Sequence, residues 1–369
     1  MTRPVRAPLP AVAGIIALTL AVAACGSPAA SPSASDVPAS TPAESGPASD
    51  APSAGASAAL EDTLVVYSGR SEELVAPIIE RFEQQSGVDV EVRYAGTSEL
   101  AATILEEGAN SPADVFFSQD GGALGALGAA NVLSALPEDL LGQVDERFRA
   151  DAGNWVGVTG RARVLAYDTR ELTPADLPAS VTDLADAAWK GRLGWVPTNA
   201  SFQTFVTALR ETLGDDAAVS WLQAVEANEP KVYDGNAAAL EAVKAGEIDA
   251  ALINHYYLLQ AQKQSGEEYP VANHFFANGD PGALVNVAGV GILETAKHPA
   301  AAEAFARFLL GEEAQTYFAT ETFEYPLRDG IPADERLPAL SEVQSPDLDL
   351  SDLDDLPGTL RLLQEAGVL

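Results

Sequence analysis

Two adjacent tyrosines, Tyr256 and Tyr257, follow the run Asp249-Ala250-Ala251-Leu252-Ile253, which reads as a buried strand opening into Asn254-His255-Tyr256-Tyr257. Neighbouring helical residues point about 100° apart and do not normally converge on one partner, whereas a loop at a strand end lets them do so. A phenol with an ordinary pKa near 10 supplies a hard anionic oxygen only where a strong cation displaces its proton. Ferric iron is such a cation. The competing reading is two aromatic rings packed at the edge of a domain, and the pair alone leaves both open.

The rest of the chemical inventory is thin. His255, His274 and His298 are the three histidines and Cys25 the one cysteine, without the spacing of a zinc site or the partners of a thiol nucleophile. There is no Gly-x-Ser-x-Gly elbow and no Walker loop. Gly122, Gly125 and Gly128 of GALGALG are spaced wrongly for a dinucleotide fingerprint and read as points of close helix packing. A formal charge of −33 and a pI near 4.2 exclude a nucleic-acid partner, which requires clustered Lys and Arg. An extracellular enzyme is accordingly the weaker class, since no loop pairs a nucleophile with a base.

The N-terminal residues carry an address. Arg3 and Arg6 precede an apolar run over residues 11–24 that is too short to span a bilayer, so residues 1–24 read as a signal peptide. The run ends in Val22-Ala23-Ala24-Cys25-Gly26, which resembles a bacterial lipobox, and Cys25 is the expected lipid anchor. Residues 25–59 are mostly Ala, Ser, Pro and Gly and contain no aromatic, Lys or Arg, so they cannot offset the entropy of ordering and read as a disordered tether. Residues 60–369 exceed the usual size of a single core and suit two lobes.

Within that body, short branched runs alternate with amphipathic ones. Leu64-Val65-Val66-Tyr67 precedes a helical pattern over residues 72–85 with Leu74, Ile78, Ile79 and Phe82 on one face. Asp114-Val115-Phe116-Phe117 leads into residues 121–129, and Leu193-Gly194-Trp195-Val196-Pro197 runs through Thr198-Asn199-Ala200-Ser201 into a helix ending at Gly214. Asn236 reads as the cap of a helix that stops at Gly246. Such alternation predicts an α/β fold with mixed, mostly parallel sheets flanked by helices, and ligands bind such sheets at strand carboxyl ends. Four loops qualify: residues 68–71, 118–120, 198–201 and 254–257.

Eight segments in order, LVVYSGRSEE, SPADVFFSQD, TGRARVLAYDTREL, KGRLGWVPTNASF, GEIDAALINHYYL, DPGALVNVAGVGIL, FLLGEEAQTYF and EYPLRDG, resemble the ferric-iron-binding solute-binding proteins of bacterial ABC importers, within the type II periplasmic-binding-protein superfamily. The resemblance implies a two-lobed fold with two hinge crossings. Its first lobe takes residues 60–162 plus 287–337 and its second residues 163–286 plus 338–369, with the C-terminal helix packed on the second. It implies Tyr256 and Tyr257 as iron ligands. Thr198, Asn199, Ala200, Ser201 and Asn236 match positions that hold a synergistic anion at a helix N-terminus, and Asn254 belongs to the Asn-x-Tyr-Tyr motif. His255 matches no ligand position. Ser71 and Gln119 stand where one branch of the family has a His and a Glu, so the side chains leave one charge of ferric iron unmet. Carbonate, phosphate or citrate is expected to meet it, held by Arg70 in a bidentate contact, with Arg161 and Arg163 assisting. Asp120 is the alternative ligand, though a helix cap suits it better. The expected partners are an ABC permease and its ATPase, with the chain a monomer on the outer face of the membrane. A phosphonate, a thiamine-like cation or a ferric chelate is the alternative ligand, walled by the two rings.

Cys25→Ser is expected to move the chain from the membrane fraction into the medium, or leave it unprocessed, with the folded body intact. An unchanged membrane fraction on immunoblotting contradicts the anchor.

Overall fold

The computed structural model describes residues 60–369, so the expected signal peptide, the expected lipid anchor Cys25 and the expected tether lie outside the described residues. The alternation seen in the sequence is realised as β1 (Thr63–Ser68), α1 (Glu72–Ser86), β2 (Asp89–Tyr94), α2 (Thr97–Glu107), β3 (Val115–Ser118), α3 (Gly121–Ala129) and the single turn α4 (Glu138–Leu141). The long strand β4 (Val156–Asp168) follows, then β5 (Leu193–Trp195), α5 (Ala200–Leu213), α6 (Asp215–Ala227), β6 (Lys231–Val232) and α7 (Asn236–Lys244). After β7 (Ala250–Asn254) and α8 (Tyr256–Ser265) come β8 (Val271–His274), β9 (Val285–Ile292), α9 (Pro299–Leu309), α10 (Glu312–Tyr317), β10 (Tyr325–Pro326) and α11 (Leu356–Glu365). α1 buries Val75, Ile78, Ile79 and Phe82. Leu74, expected among them, is half-buried and turns to a cavity instead.

The strand order is β2-β1-β3-β9-β4-β7-β5-β6, with β8 and β10 also pairing with β4. Parallel pairing is confined to β1 with β2 and β3, and to β5 with β6 and β7. Every pair involving β4 or β9 is antiparallel. The sheet is thus mixed, with its parallel pairs at the two ends and an antiparallel centre.

β4 has 13 residues, all buried, and serves two sets of partners. Val156 to Ala162 pair with β9, and Arg163 to Tyr167 pair with β7. At the changeover the Arg163 N–H donates to the Leu284 carbonyl just before β9, at 2.9 Å. Residue types follow from this duty: β4 reads VGVTGRARVLAYD, small or branched from Val156 to Ala166 except at Arg161 and Arg163.

The C-terminal helix packs on α5 and α6. Arg210 of α5 fixes its start, donating from Nη2 to Asp355 Oδ2 at 2.9 Å and from Nη1 to Thr359 Oγ1 at 3.0 Å. Before α11, the turn at Leu350–Asp352 lies on α3. The GALGALG glycines answer to this segment: a Cβ on Gly122 would overlap the Leu353 carbonyl, and one on Gly125 the Ser351 carbonyl. The close packing expected of them is therefore against an irregular strap rather than a second helix.

Gly122→Ala is expected to lower stability by about 2–3 kcal/mol, because backbone must move to admit the methyl. Gly235→Ala, at an extended residue with open space around it, should cost below about 1 kcal/mol. Equal denaturant midpoints for the two variants would remove the strap from the account.

Candidate functional site

Tyr256 and Tyr257 are the first two residues of α8, and His255 before them already has helical φ −57° and ψ −37°. The expected loop is absent, yet the rings converge, stacked with centroids 4.6 Å apart and planes at 25°. In the first turn no preceding turn crowds the side chains, so rotamers forbidden further along are open. Tyr256 is 3 % exposed and Tyr257 is half-buried. Together with Ser71, Leu74, Tyr317, Thr322 and Lys263 they line a cavity of about 420 Å³. Tyr317 is already committed, its hydroxyl donating to the Leu74 carbonyl at 2.9 Å. Burial pushes the Tyr256 phenol well above its ordinary pKa, and Tyr257 adds to this, while Arg161 and Arg70 pull the other way. Its proton leaves only for a stronger positive charge.

His255 fixes the tyrosines from below. Its ring is wholly buried; Nδ1 accepts the Ala162 N–H at 3.1 Å and Nε2 donates to the Phe323 carbonyl at 2.9 Å. Desolvation lowers its pKa to about 4, so the ring is neutral with one donor and one acceptor, as these bonds require. Phe323 itself sits in the left-handed region at φ 58°, after a π-helical turn over Phe318–Thr322. His255, which matches no ligand position, thus joins α8 to β4 and to the segment before β10.

Arginines converge on the same region. Arg70 is 2 % exposed and has no contact with Glu72 or Glu73; its Nη2 donates to both carboxylate oxygens of Glu324, at 2.9 and 2.7 Å. The carboxylate that engages this guanidinium comes from the chain itself, and Thr322 Oγ1 also donates to it at 3.1 Å. Arg161 Nε stands 3.9 Å from Glu324 Oε1, and its Nη2 donates to the Val287 carbonyl at 3.2 Å. Among the described residues Arg163 has no carboxylate partner. It donates to the Leu252 carbonyl at 2.9 Å and to Ser201 Oγ at 3.4 Å, and packs over the rings of Phe202 and Phe205. Burial lowers its pKa to about 9.

A donor-rich corner forms around that arginine. Asn199 caps α5, its Oδ1 accepting from Ser201 N at 3.0 Å and from Ser201 Oγ at 2.6 Å, with Ala200 the first helical residue and Thr198 exposed on the turn before it. Asn236 donates to Ser201 Oγ at 3.5 Å. It is the first residue of α7 rather than its cap, which is Gly235, so its side chain is free to turn toward Ser201. Two helix N-termini and a guanidinium thus meet, an arrangement suited to an anion. Asn254, buried at the end of β7, is the register partner of Arg163. Asp120 caps α3, accepting from Ala123 N at 2.9 Å, and burial pushes its carboxyl up. It lines a second cavity, of about 290 Å³, whose wall also includes Ala200. Gln119 is anchored through its backbone N–H to Thr97 Oγ1 at 3.2 Å. Among the described residues, no three His, Cys, Asp or Glu side chains are grouped to hold a metal, so a cation here depends on phenol oxygens. Sequence reasoning missed Glu324, Thr322, Tyr317 and Lys263; of these Glu324, the acid of EYPLRDG, and Tyr317, the tyrosine of FLLGEEAQTYF, had a signal.

A protein-family model described as bacterial extracellular solute-binding protein matches residues 110–352. The Fe(3+)-binding periplasmic protein of Serratia marcescens is 35% identical over 318 residues, which is 85% of this chain and 94% of that protein. The crystal structure of iron-bound HitA from Pseudomonas aeruginosa superposes with a TM-score of 0.78 at 38% identity, covering 83% of this chain and 100% of that one. A Trichodesmium protein (IdiA, FutA), solved in complex with iron and citrate ligands, gives 0.73 at 26% identity over 83% and 100% of the two chains.

Glu324→Ala should lower stability by about 3–5 kcal/mol, since it strands Arg70 as a buried, uncompensated charge. Removing Arg70 as well should recover part of that loss, so the two substitutions are not additive in denaturant unfolding. Simple additivity would mean that the pair does not interact.

Proposed function

The chain belongs to the bacterial extracellular solute-binding protein family, and we propose that this member captures ferric iron outside the cytoplasm and hands it to an ABC permease. The observation that carries this is the stacked pair of a buried Tyr256 and a half-buried Tyr257 with guanidinium groups close by. Two phenolates neutralise two of the three charges of ferric iron, and the arginines and helix N-termini accommodate an anion that supplies the third. The iron-binding relative from Serratia and the iron and citrate in the Trichodesmium protein support both halves of this reading.

In this reading the anion is carbonate, phosphate or citrate. Thr198, Asn199, Ala200, Ser201 and Asn236 receive it together with Arg163, Ser71 flanks the iron, and Gln119, Asp120 and Asn254 border the site. Arg70 acts on the anion through its field, since its Nη2 is engaged by Glu324. The cleft lies between a lobe of residues 60–162 plus 287–337 and one of residues 163–286 plus 338–369. Binding closes it by preferring the closed form, with β4 and β9 as the hinge crossings. The protein itself performs no covalent step. A lipid on Cys25 holds the monomer at the outer face of the membrane, where the permease and its ATPase act on the closed form.

Phenolate bound to ferric iron gives a visible charge-transfer band, so the iron-loaded chain should be coloured. Tyr256→Phe and Tyr257→Phe each keep the ring and remove the oxygen. Each should abolish or shift the band and weaken iron binding by roughly a hundredfold or more, a loss of about 2.7 kcal/mol, with little change in the stability of the empty protein. Normal binding by both variants, with no band in the parent, would replace iron by a phosphonate, a thiamine-like cation or a preformed ferric chelate held between the rings.

A further inference from the structure

Given capture of a cation by Tyr256 and Tyr257 as proposed above, we infer that Glu324 sets the charge of the anion that the site accepts with that cation. Arg70, Arg161 and Arg163 are each 2 % exposed, and the carboxylate paired with them is Glu324, which serves Arg70 and faces Arg161, while the buried Asp120 carboxyl, pushed up by desolvation, feels Arg161 from further off. Four of their N–H groups, Nε of all three and Nη1 of Arg161, have no hydrogen-bond partner. A donor-rich, acceptor-poor interior of this kind calls for oxygen atoms carrying negative charge.

The position of the Arg70–Glu324 pair makes it part of the site. Ser71, next to Arg70, and Thr322, hydrogen-bonded to Glu324, both line the cavity that holds the two tyrosines. Three guanidiniums less one carboxylate leave two positive charges, and a ferric ion less two phenolates adds one more. A trivalent oxyanion balances the total with the Asp120 carboxyl protonated, and a divalent one with it ionised. Without Glu324 every anion would meet one further positive charge, and a multiply charged anion would gain by more than a singly charged one, since Coulomb energy scales with the product of the charges. Glu324 touches no ligand in this scheme. It is a specificity-determining residue that acts through Arg70 and Arg161.

The test uses the whole chain free of iron, titrated calorimetrically with citrate, phosphate and bicarbonate. Glu324→Gln keeps the shape and the acceptor for Thr322 while removing the charge. It should tighten citrate over bicarbonate by roughly tenfold or more, an increment of the size expected for one charge in a partly buried site. Arg70→Gln combined with Glu324→Gln leaves the net charge of the parent and should restore the parental ranking. A folded Glu324→Gln variant with the parental ranking overturns the inference, as does a double variant that keeps the ranking of the single one. Should Glu324→Gln not fold, Arg161→Gln gives the opposite arm: citrate should weaken more than bicarbonate, and equal losses overturn the inference. Ferric titration of the same samples is read separately. A parent without the visible band sinks the iron reading, whereas a band with an unshifted anion ranking sinks the role of Glu324.

Discussion

Both backbone groups of one residue, Ala162, are bonded to one histidine. The Ala162 N–H is accepted by His255 Nδ1 and the Ala162 carbonyl accepts the His255 N–H, at 3.1 and 3.0 Å. Ala162 is the last residue of β4 to pair with β9, and the next, Arg163, is the first to pair with β7. The histidine therefore closes the ladder where the strand changes partners, and its own position starts the helix that carries the tyrosines. Residues alternate faces along a strand, so Arg161 and Arg163, on either side of Ala162, emerge on one face together. The placement of two arginines and two phenols follows from a single bonded pair of residues.

That arrangement concentrates positive charge in a place that solvent barely reaches. A core built for stability alone would replace the Arg70–Glu324 pair with apolar side chains of similar volume, since buried ion pairs rarely repay their desolvation. Here the pair is accompanied by an unpaired Arg163, and by guanidinium N–H groups with no acceptor. Features of this sort are tolerated where a ligand completes them, and they cluster at functional sites for that reason. The neutral state of His255 belongs to the same balance: with three guanidiniums in reach of α8, a protonated imidazole would add repulsion, and burial keeps it unprotonated.

The local units were legible in the chain. Branched runs and amphipathic periods gave β1, α1, β3, α3, β5, α5 and β7 nearly to the residue, because each is decided by burial of its own side chains. Tyr256 and Tyr257 stood out for the same reason, as polar aromatics directly after an apolar strand. What the sequence did not disclose is non-local. Glu324 and Arg70 are 254 positions apart, and nothing in either neighbourhood marks the other as its partner. The start of α8 was read as loop because no capping side chain announces it; the order there comes from His255 bonding across to β4 and Phe323, a tertiary effect. Gly122 and Gly125 announced a close approach, but their partner, a strap with carbonyls turned inward, has no periodicity to read.

The raised pKa of Tyr256 bears on which cation the proposed site selects. A phenol whose anion is disfavoured by burial releases its proton only to a cation whose attraction exceeds that cost, and burial sets the cost high at Tyr256. A divalent ion offers two-thirds of the Coulomb energy of a trivalent one at the same distance. It would also leave the neighbouring arginines less need of an accompanying anion, and so gain less from them. Both terms disfavour the divalent ions that are abundant outside cells. Selectivity in this scheme arises from the cost of ionising the buried Tyr256 phenol beside a cluster of guanidiniums, with no dedicated exclusion of smaller charges by size.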